Sequence, residues 1–271
     1  MYEKFISDFE HRINLLSLVE ICLPIVRQYQ VPAQAVEYLE KIKEKVKADM
    51  EAVILCDTAI GAIHLEQKNF DATKKLVEDI EVELNKIDNV TTIHARYYEL
   101  SSNYYRTVGN HSEYYKNALR YLGCIKYETL SQSEQQERAL YLSLAAILGD
   151  GVYNFGELLM HPILGSLNGT QNQWLVDLLY SFNRGDLDKF EQLKPVWSQL
   201  ADLKAAEVTM RQKICLLCLM EMAFTRPANN KQLVFNEIAA KTKLPENEVI
   251  YFRYYLNKIG RKLLVYIKFY H

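Results

Sequence analysis

Apolar residues recur along this chain at helical spacing. Ala72, Leu76, Ile80 and Leu84 fall at every fourth position with charges between them, and Ile93, Tyr97, Leu100, Tyr104 and Val108 step by four or three. Both series lay an apolar stripe along one side of a helix with 3.6 residues per turn. Followed through the chain, the pattern predicts helices over 2–13, 18–29, 33–47, 50–67, 71–86, 92–107, 112–123, 133–148, 155–166, 170–183, 186–199 and 203–224. Ser17-x-x-Glu20 and Ser131-x-x-Glu134 read as capping boxes, in which hydroxyl and carboxylate satisfy the orphan donors of a helix start. Pro32 and Pro245 suit first-turn positions, where a missing N–H costs nothing.

Polar turns interrupt the helices at regular intervals. They fall at Lys68-Asn69, Gly109-Asn110, Gly149-Asp150 and Gly185-Asp186, spaced 36 to 41 residues apart. Aromatic residues come after them: Phe70, Tyr114, Tyr153 with Phe155, and Phe190. A period of about 34–45 residues with two helices per unit is the signature of stacked helix hairpins. Tyr104, Tyr105, Tyr114 and Tyr115 flank the second turn at helical spacing, so adjacent helices are expected to bring them together as core.

The pattern changes after Phe224. Thr225-Arg-Pro-Ala-Asn-Asn230 is a breaker cluster. A short extended piece, Gln232 to Val234, precedes Phe235-x-x-Ile238-Ala239, and a second helix is expected from Pro245 with Glu246 and Glu248 in its first turn. This is the layout of a helix-turn-helix, and of a winged helix where a β-hairpin completes it. The chain closes instead with Arg261 to His271, which reads as a single strand without a hairpin partner.

Composition agrees with long helices and sparse turns. The 271 residues hold 10 glycines and 6 prolines, and 49% of them are apolar. Lys and Arg number 32 against 34 Asp and Glu, so no global basic excess points to nucleic acid. The longest strongly apolar stretch, Ile214 to Met220, is far short of a membrane span, and Met1-Tyr-Glu-Lys4 does not open a signal peptide. Five cysteines, an odd and low number, fit a reducing compartment.

Candidate chemistry is thin. Cys215-x-x-Cys218 lacks the second ligand pair of a zinc site and the βαβ setting of a redox motif, so it reads as buried helix face. The histidines, His11, His64, His94, His111, His161 and His271, form no His-x-His or His-Glu-x-x-His pair. Gly149-x-Gly151 with Gly156 comes after a helix and lacks the Lys-Ser/Thr of a phosphate loop, so it reads as a turn. Asp79 and Glu83, one helical turn apart, read as a solvated face. Arg253, Lys258, Arg261, Lys262 and Lys268 beside a helix-turn-helix could contact phosphates, although a solvated basic tail is the preferred reading. No catalytic, cofactor-binding or metal-ligating residue is assigned, and no cofactor is expected.

A helical array ending in a winged helix is the architecture of the PCI module, shared by subunits of the proteasome lid, the COP-nine signalosome and the translation initiation-factor-three complex. The stretches Glu51-Ala-Val-Ile-Leu-Cys56, Gly109-Asn-His-Ser-Glu-Tyr-Tyr-Lys116, Tyr153-Asn-Phe-Gly-Glu-Leu-Leu-Met-His-Pro162 and Leu216-Leu-Cys-Leu-Met-Glu-Met-Ala-Phe-Thr-Arg-Pro-Ala-Asn229 closely resemble the proteasome-lid members of that family. The similarity runs from about Tyr2 to Val249, and from Ile250 onward the sequence departs from the family. The resemblance implies further N-terminal helices in the family and a completed wing with a long terminal helix, so a truncated, alternatively spliced or misassembled reading frame is expected here.

The expected fold is therefore an all-α solenoid of helix-hairpin, TPR-like repeats ending in an incomplete winged helix. Residues 1–112 are read as N-terminal repeats, 113–224 as the helical part of the PCI module, and 225–271 as the incomplete winged helix with a divergent tail. The resemblance implies a non-catalytic scaffold in cytoplasm and nucleus. Its partners would be other proteasome-lid subunits, the PCI-domain neighbours within a hetero-oligomeric complex. Membrane is not expected as a partner. A nucleic-acid-binding winged helix, or a subunit of another PCI complex, is the alternative.

Overall fold

The computed structural model describes residues 12–227, 232–244 and 268–270. The chain packs as two compact units, Met1–Lys126 and Tyr127–His271. The fold is all-α and built of helical repeats. The expected helix over 2–13 lies largely outside the described residues, as do Pro245 and the helix expected from it.

The first unit holds α1 (Leu15–Val26), α2 (Pro32–Lys45), α3 (Met50–Glu66), α4 (Phe70–Leu84), α5 (Thr92–Val108) and α6 (His111–Cys124). Each matches an expected helix to within three residues at either end. Pro32 opens α2 as anticipated. The Ser17 capping box is not formed. Asn14 caps α1 instead, its side chain accepting from the N–H groups of Leu16 and Ser17 at 2.9 and 3.3 Å, which places Ser17 inside the helix. Asparagine three residues earlier satisfies the same orphan donors, so the hydroxyl is left without that task.

Two of the anticipated turns here share one device. Lys68 and Gly109 adopt left-handed backbone, with φ of 59° and 77°. Asn69 and Asn110 then cap the next helix, accepting from the N–H groups of Ala72 and Glu113. Gly185-Asp186 in the second unit repeats it, with φ of 62° and the Asp186 side chain accepting from Lys189. A left-handed residue reverses the chain, and the Asx side chain starts the next helix at once. Gly149-Asp150 differs, with Gly149 extended at φ −66° and ψ 126°, so three of the four turns share the device.

The core of the first unit is sequential. Leu18, Val19 and Cys22 of α1 pack with Ile42, Ala52 and Cys56, and Ile54 of α3 packs with Val77, Ile80, Ile93, Tyr97 and Leu100. Tyr104, Tyr114 and Tyr115 are buried, as the spacing predicts, and Tyr105 is half-buried. The Tyr97 hydroxyl is buried too and donates to the carbonyl of Val77 at 3.3 Å.

The second unit holds α7 (Gln132–Leu148), α8 (Gly156–Met160), a 3₁₀ turn (Pro162–Leu167), α9 (Gln173–Arg184), α10 (Leu187–Gln192), α11 (Lys194–Trp197), α12 (Ala201–Ala205), α13 (Glu207–Thr225) and α14 (Phe235–Thr242). Ser131 and Glu134 form the expected capping box on α7. Three expected helices are divided. Pro162 ends α8, because the residue before a proline is pushed to extended backbone, and His161 has φ −77° and ψ 130°. Pro195 opens α11, and Ala206, at φ −90° and ψ 11°, separates α12 from α13. Buried rings of Phe155, Phe182, Phe190 and Trp197 run as a ladder with centroids 6.1, 5.7 and 5.2 Å apart. The Trp197 Nε1–H donates to the carbonyl of Phe190 at 3.2 Å, so its one polar atom is satisfied.

Strand β1 (Gln232–Val234) lies where expected. It pairs in parallel with β2 (Lys268–Tyr270), Gln232 opposite Lys268 and Val234 opposite Tyr270. A parallel pair is not a hairpin, which joins antiparallel strands, so among the described residues β1 is paired but not by a hairpin.

Candidate functional site

The residues that could carry chemistry are dispersed and already employed. Cys215 and Cys218 are buried on α13. Burial pushes the Cys215 thiol up to about 12 and raises that of Cys218. A thiol held protonated is a poor nucleophile and a poor ligand. The Cys215 Sγ–H points at the carbonyl of Thr242 at 3.7 Å, joining α13 to α14.

Two of the histidines act as caps. His94 accepts from the backbone N–H of Thr91 at Nδ1, 3.1 Å, and so closes the start of α5. His161 accepts from the N–H of Ile163 at 3.1 Å and caps the 3₁₀ turn. His64 is half-buried on α3 and His111 exposed at the start of α6, while His11 and His271 lie outside the described residues. Asp79 is exposed on α4, and Glu83 pairs with Lys86 at 2.6 Å. Among the described residues no three His, Cys, Asp or Glu converge as metal ligands, and no helix is long and apolar enough to cross a membrane. Arg253, Lys258, Arg261 and Lys262 lie outside the described residues.

The Gly149-x-Gly151 turn has an occupant that no motif announced. Lys213 of α13, only 8% exposed, donates from Nζ to the carbonyls of Ala146, Ile147 and Gly149 at 2.7, 3.0 and 2.9 Å. The turn holds the chain's own ammonium, not a phosphate.

Each unit also carries a surface feature without reactive groups at its centre. In the first, a cleft of about 530 Å³ lies over α3 between α1 and α5. Leu23, Val26, Leu55, Ala59, Ile63 and Leu100 supply its apolar lining, with Arg27, Glu66, Arg96 and Glu99 among the charged groups. In the second, α14 is seated on α13 by Leu216, Leu219, Ala223 and Ile238. Ion pairs Arg226–Glu237 and Lys243–Asp188 tie it down. Phe224, at the end of α13, is 64% exposed beside this junction.

These features define a helical-repeat protein whose second unit carries a small helix-and-strand element on α13, an architecture that offers extended surfaces to other proteins. The family model described as PSD13 N-terminal repeats matches residues 1–179, and the chain belongs to that family. It is similar to the 26S proteasome non-ATPase regulatory subunit 13 homolog B of Arabidopsis thaliana, with 39% identity over 259 residues, 92% of this chain and 67% of the relative. The 26S proteasome non-ATPase regulatory subunit 13 of Dictyostelium discoideum is 38% identical over 256 residues, 92% of this chain and 66% of the relative. The 26S proteasome regulatory subunit RPN9 of Saccharomyces cerevisiae is 32% identical over 266 residues, again 92% of this chain and 67% of the relative. The chain thus spans about two thirds of the length of these relatives.

Proposed function

We propose that this chain is a non-catalytic scaffold subunit of the lid of the 26S proteasome regulatory particle, supporting ubiquitin-dependent protein degradation through protein–protein contacts. The observation that carries the reading is 39% identity across 92% of the chain to a regulatory subunit named as non-ATPase. The chemistry of the described residues supports it: Cys215 and Cys218 are buried with raised thiol pKa values, His94 and His161 serve as caps, and Asp79 and Glu83 lie on the surface of α4. On this reading residues 1–112 are N-terminal repeats, 113–224 the helical part of a PCI module and 225–271 a winged-helix element. The partners are PCI-module neighbours in a hetero-oligomeric complex of cytoplasm and nucleus.

Co-expression of the full chain with the lid subunits, and affinity capture of the product, tests this. Stoichiometric recovery with PCI-module subunits is expected. Recovery without them, together with DNA retention that salt abolishes, would favour a nucleic-acid-binding winged helix instead.

A further inference from the structure

We propose that the C-terminal turn of α7 is a binding site for a primary ammonium, filled by the chain's own Lys213, and that this tether fixes the position of α13 and the α14 element it carries. The last carbonyls of a helix have no partner within it and form the negative end of its dipole. Here Ala146 and Ile147 aim theirs, with that of Gly149, at one point, and the Lys213 Nζ stands 2.7, 3.0 and 2.9 Å from the three oxygens. An ammonium carries three N–H groups, and three acceptors use all of them. Aromatic faces add to the cage: the rings of Phe155 and Tyr153 have centroids 5.5 and 5.9 Å from the same nitrogen.

Geometry selects the ligand. A neutral amine has two N–H groups for three carbonyls, and its lone pair would face the third. A guanidinium is a planar fork, which does not match three converging acceptors. Burial acts against the charge, drawing the amine down to about 7 with Asp150 partly offsetting it. The tether spans 64 to 67 residues of sequence. On the same helix, Cys215 bonds Thr242, and Leu216 and Leu219 pack with Ile238. A helix released at Lys213 carries those contacts with it.

The test is chemical rescue in the full chain. Lys213→Ala should lower the thermal midpoint, and ethylammonium chloride should restore most of the loss. Sodium chloride and tetramethylammonium chloride at the same ionic strength should not, because neither cation has an N–H. Lys213→Arg should fall short of the natural chain. If Lys213→Ala is recovered unfolded, refolding is the readout: refolding that ethylammonium restores supports the site, and refolding that no amine restores overturns it. Hydrogen exchange of Lys213→Met adds a local readout. Amides at 149–152 and in α14 should lose protection before those of α9. A Lys213→Met chain as stable and as protected as the natural one, or equal rescue by all three salts, would overturn the proposal.

Discussion

Gly185 is pressed against the backbone of Cys218. A β-carbon on Gly185 would lie 2.3 Å from the Cys218 Cα and 2.5 Å from its nitrogen, closer than any real contact. Gly185 also has φ +62°, as the left-handed end of α9. Gly109 has φ +77° but nothing within 4 Å of a β-carbon. The two glycines separate backbone strain from close approach. Gly109→Ala should cost about 1–2 kcal/mol, the left-handed penalty alone. Gly185→Ala should add about 1–3 kcal/mol, because α9 and α13 must part. Urea unfolding of both variants decides it, and equal losses would mean that the α9–α13 approach relaxes freely.

Lys68 occupies the position that glycine fills at the other two turns of this kind. It is exposed and has φ 59°. Lys68→Gly relieves a left-handed strain of about 1–2 kcal/mol and gives back about 0.5–1 through the freer unfolded chain. A net gain of up to about 1.5 kcal/mol is expected. Lys68→Ala, which keeps a β-carbon, should gain little. A thermal midpoint for Lys68→Gly at or below the natural one would contradict this account of the turn.

The tyrosines beside the second turn are structural. Tyr104 and Tyr115 are each 6% exposed. Replacing either with Ala should cost about 3–5 kcal/mol, as other buried aromatic truncations do. The half-buried Tyr105 should cost less. Thermal midpoints unchanged in both Tyr104→Ala and Tyr115→Ala would show that the rings bear no load.

The same local signals explain how far the fold is legible in the sequence. The 3–4 spacing places α2, α4, α5 and α6 because each buries a stripe of its own, α3 reads as a long apolar run because it is buried on several sides, and the Asn and Asp turns are visible as residue types. Division of the later helices is harder to read. Pro162 and Pro195 stand in the sequence, but a continuous apolar pattern runs across both. The Lys213 site leaves no trace, because its acceptors are backbone carbonyls, which any residue supplies, brought in from 64 or more positions away. Cys215 and Cys218 read correctly as core because their neighbours are apolar on every side. The lid reading rests on long matched stretches and not on any constellation of reactive groups.

Thiol chemistry should track burial. Cys22, Cys56, Cys215 and Cys218 are buried, and Cys124 is partly exposed at the end of α6. Burial pushes the Cys56 thiol up to about 12, as it does Cys215, and raises Cys124 as well. Reagent access therefore decides the order. Native-state alkylation with peptide mass mapping should label Cys124 first and the other four only on unfolding. Early labelling of Cys215 would show that α13 and α14 separate in the native state.

His161 should make the second unit sensitive to mild acid. Its Nδ1 accepts from the Ile163 N–H at 3.1 Å, and the Tyr127 ring meets it edge-on at 6.2 Å. Burial lowers its pKa below the ordinary value, with Glu157 offsetting part of the effect. Protonation would place a hydrogen on Nδ1 and abolish the cap, so geometry and burial favour the same neutral form. Between the lowered folded value and about 6.5, the unfolded chain binds more protons than the folded one. The stabilisation is therefore present above that window and lost as pH falls through it. His161→Asn keeps a side-chain acceptor at the same cap without titrating. The natural chain and the variant should have similar thermal midpoints near pH 7.5, and the natural chain should fall further by about pH 5.5. Other titrating groups are common to both proteins and cancel in the difference. Parallel decline of the two curves would remove His161 from the acid response and leave its cap a pH-independent contact.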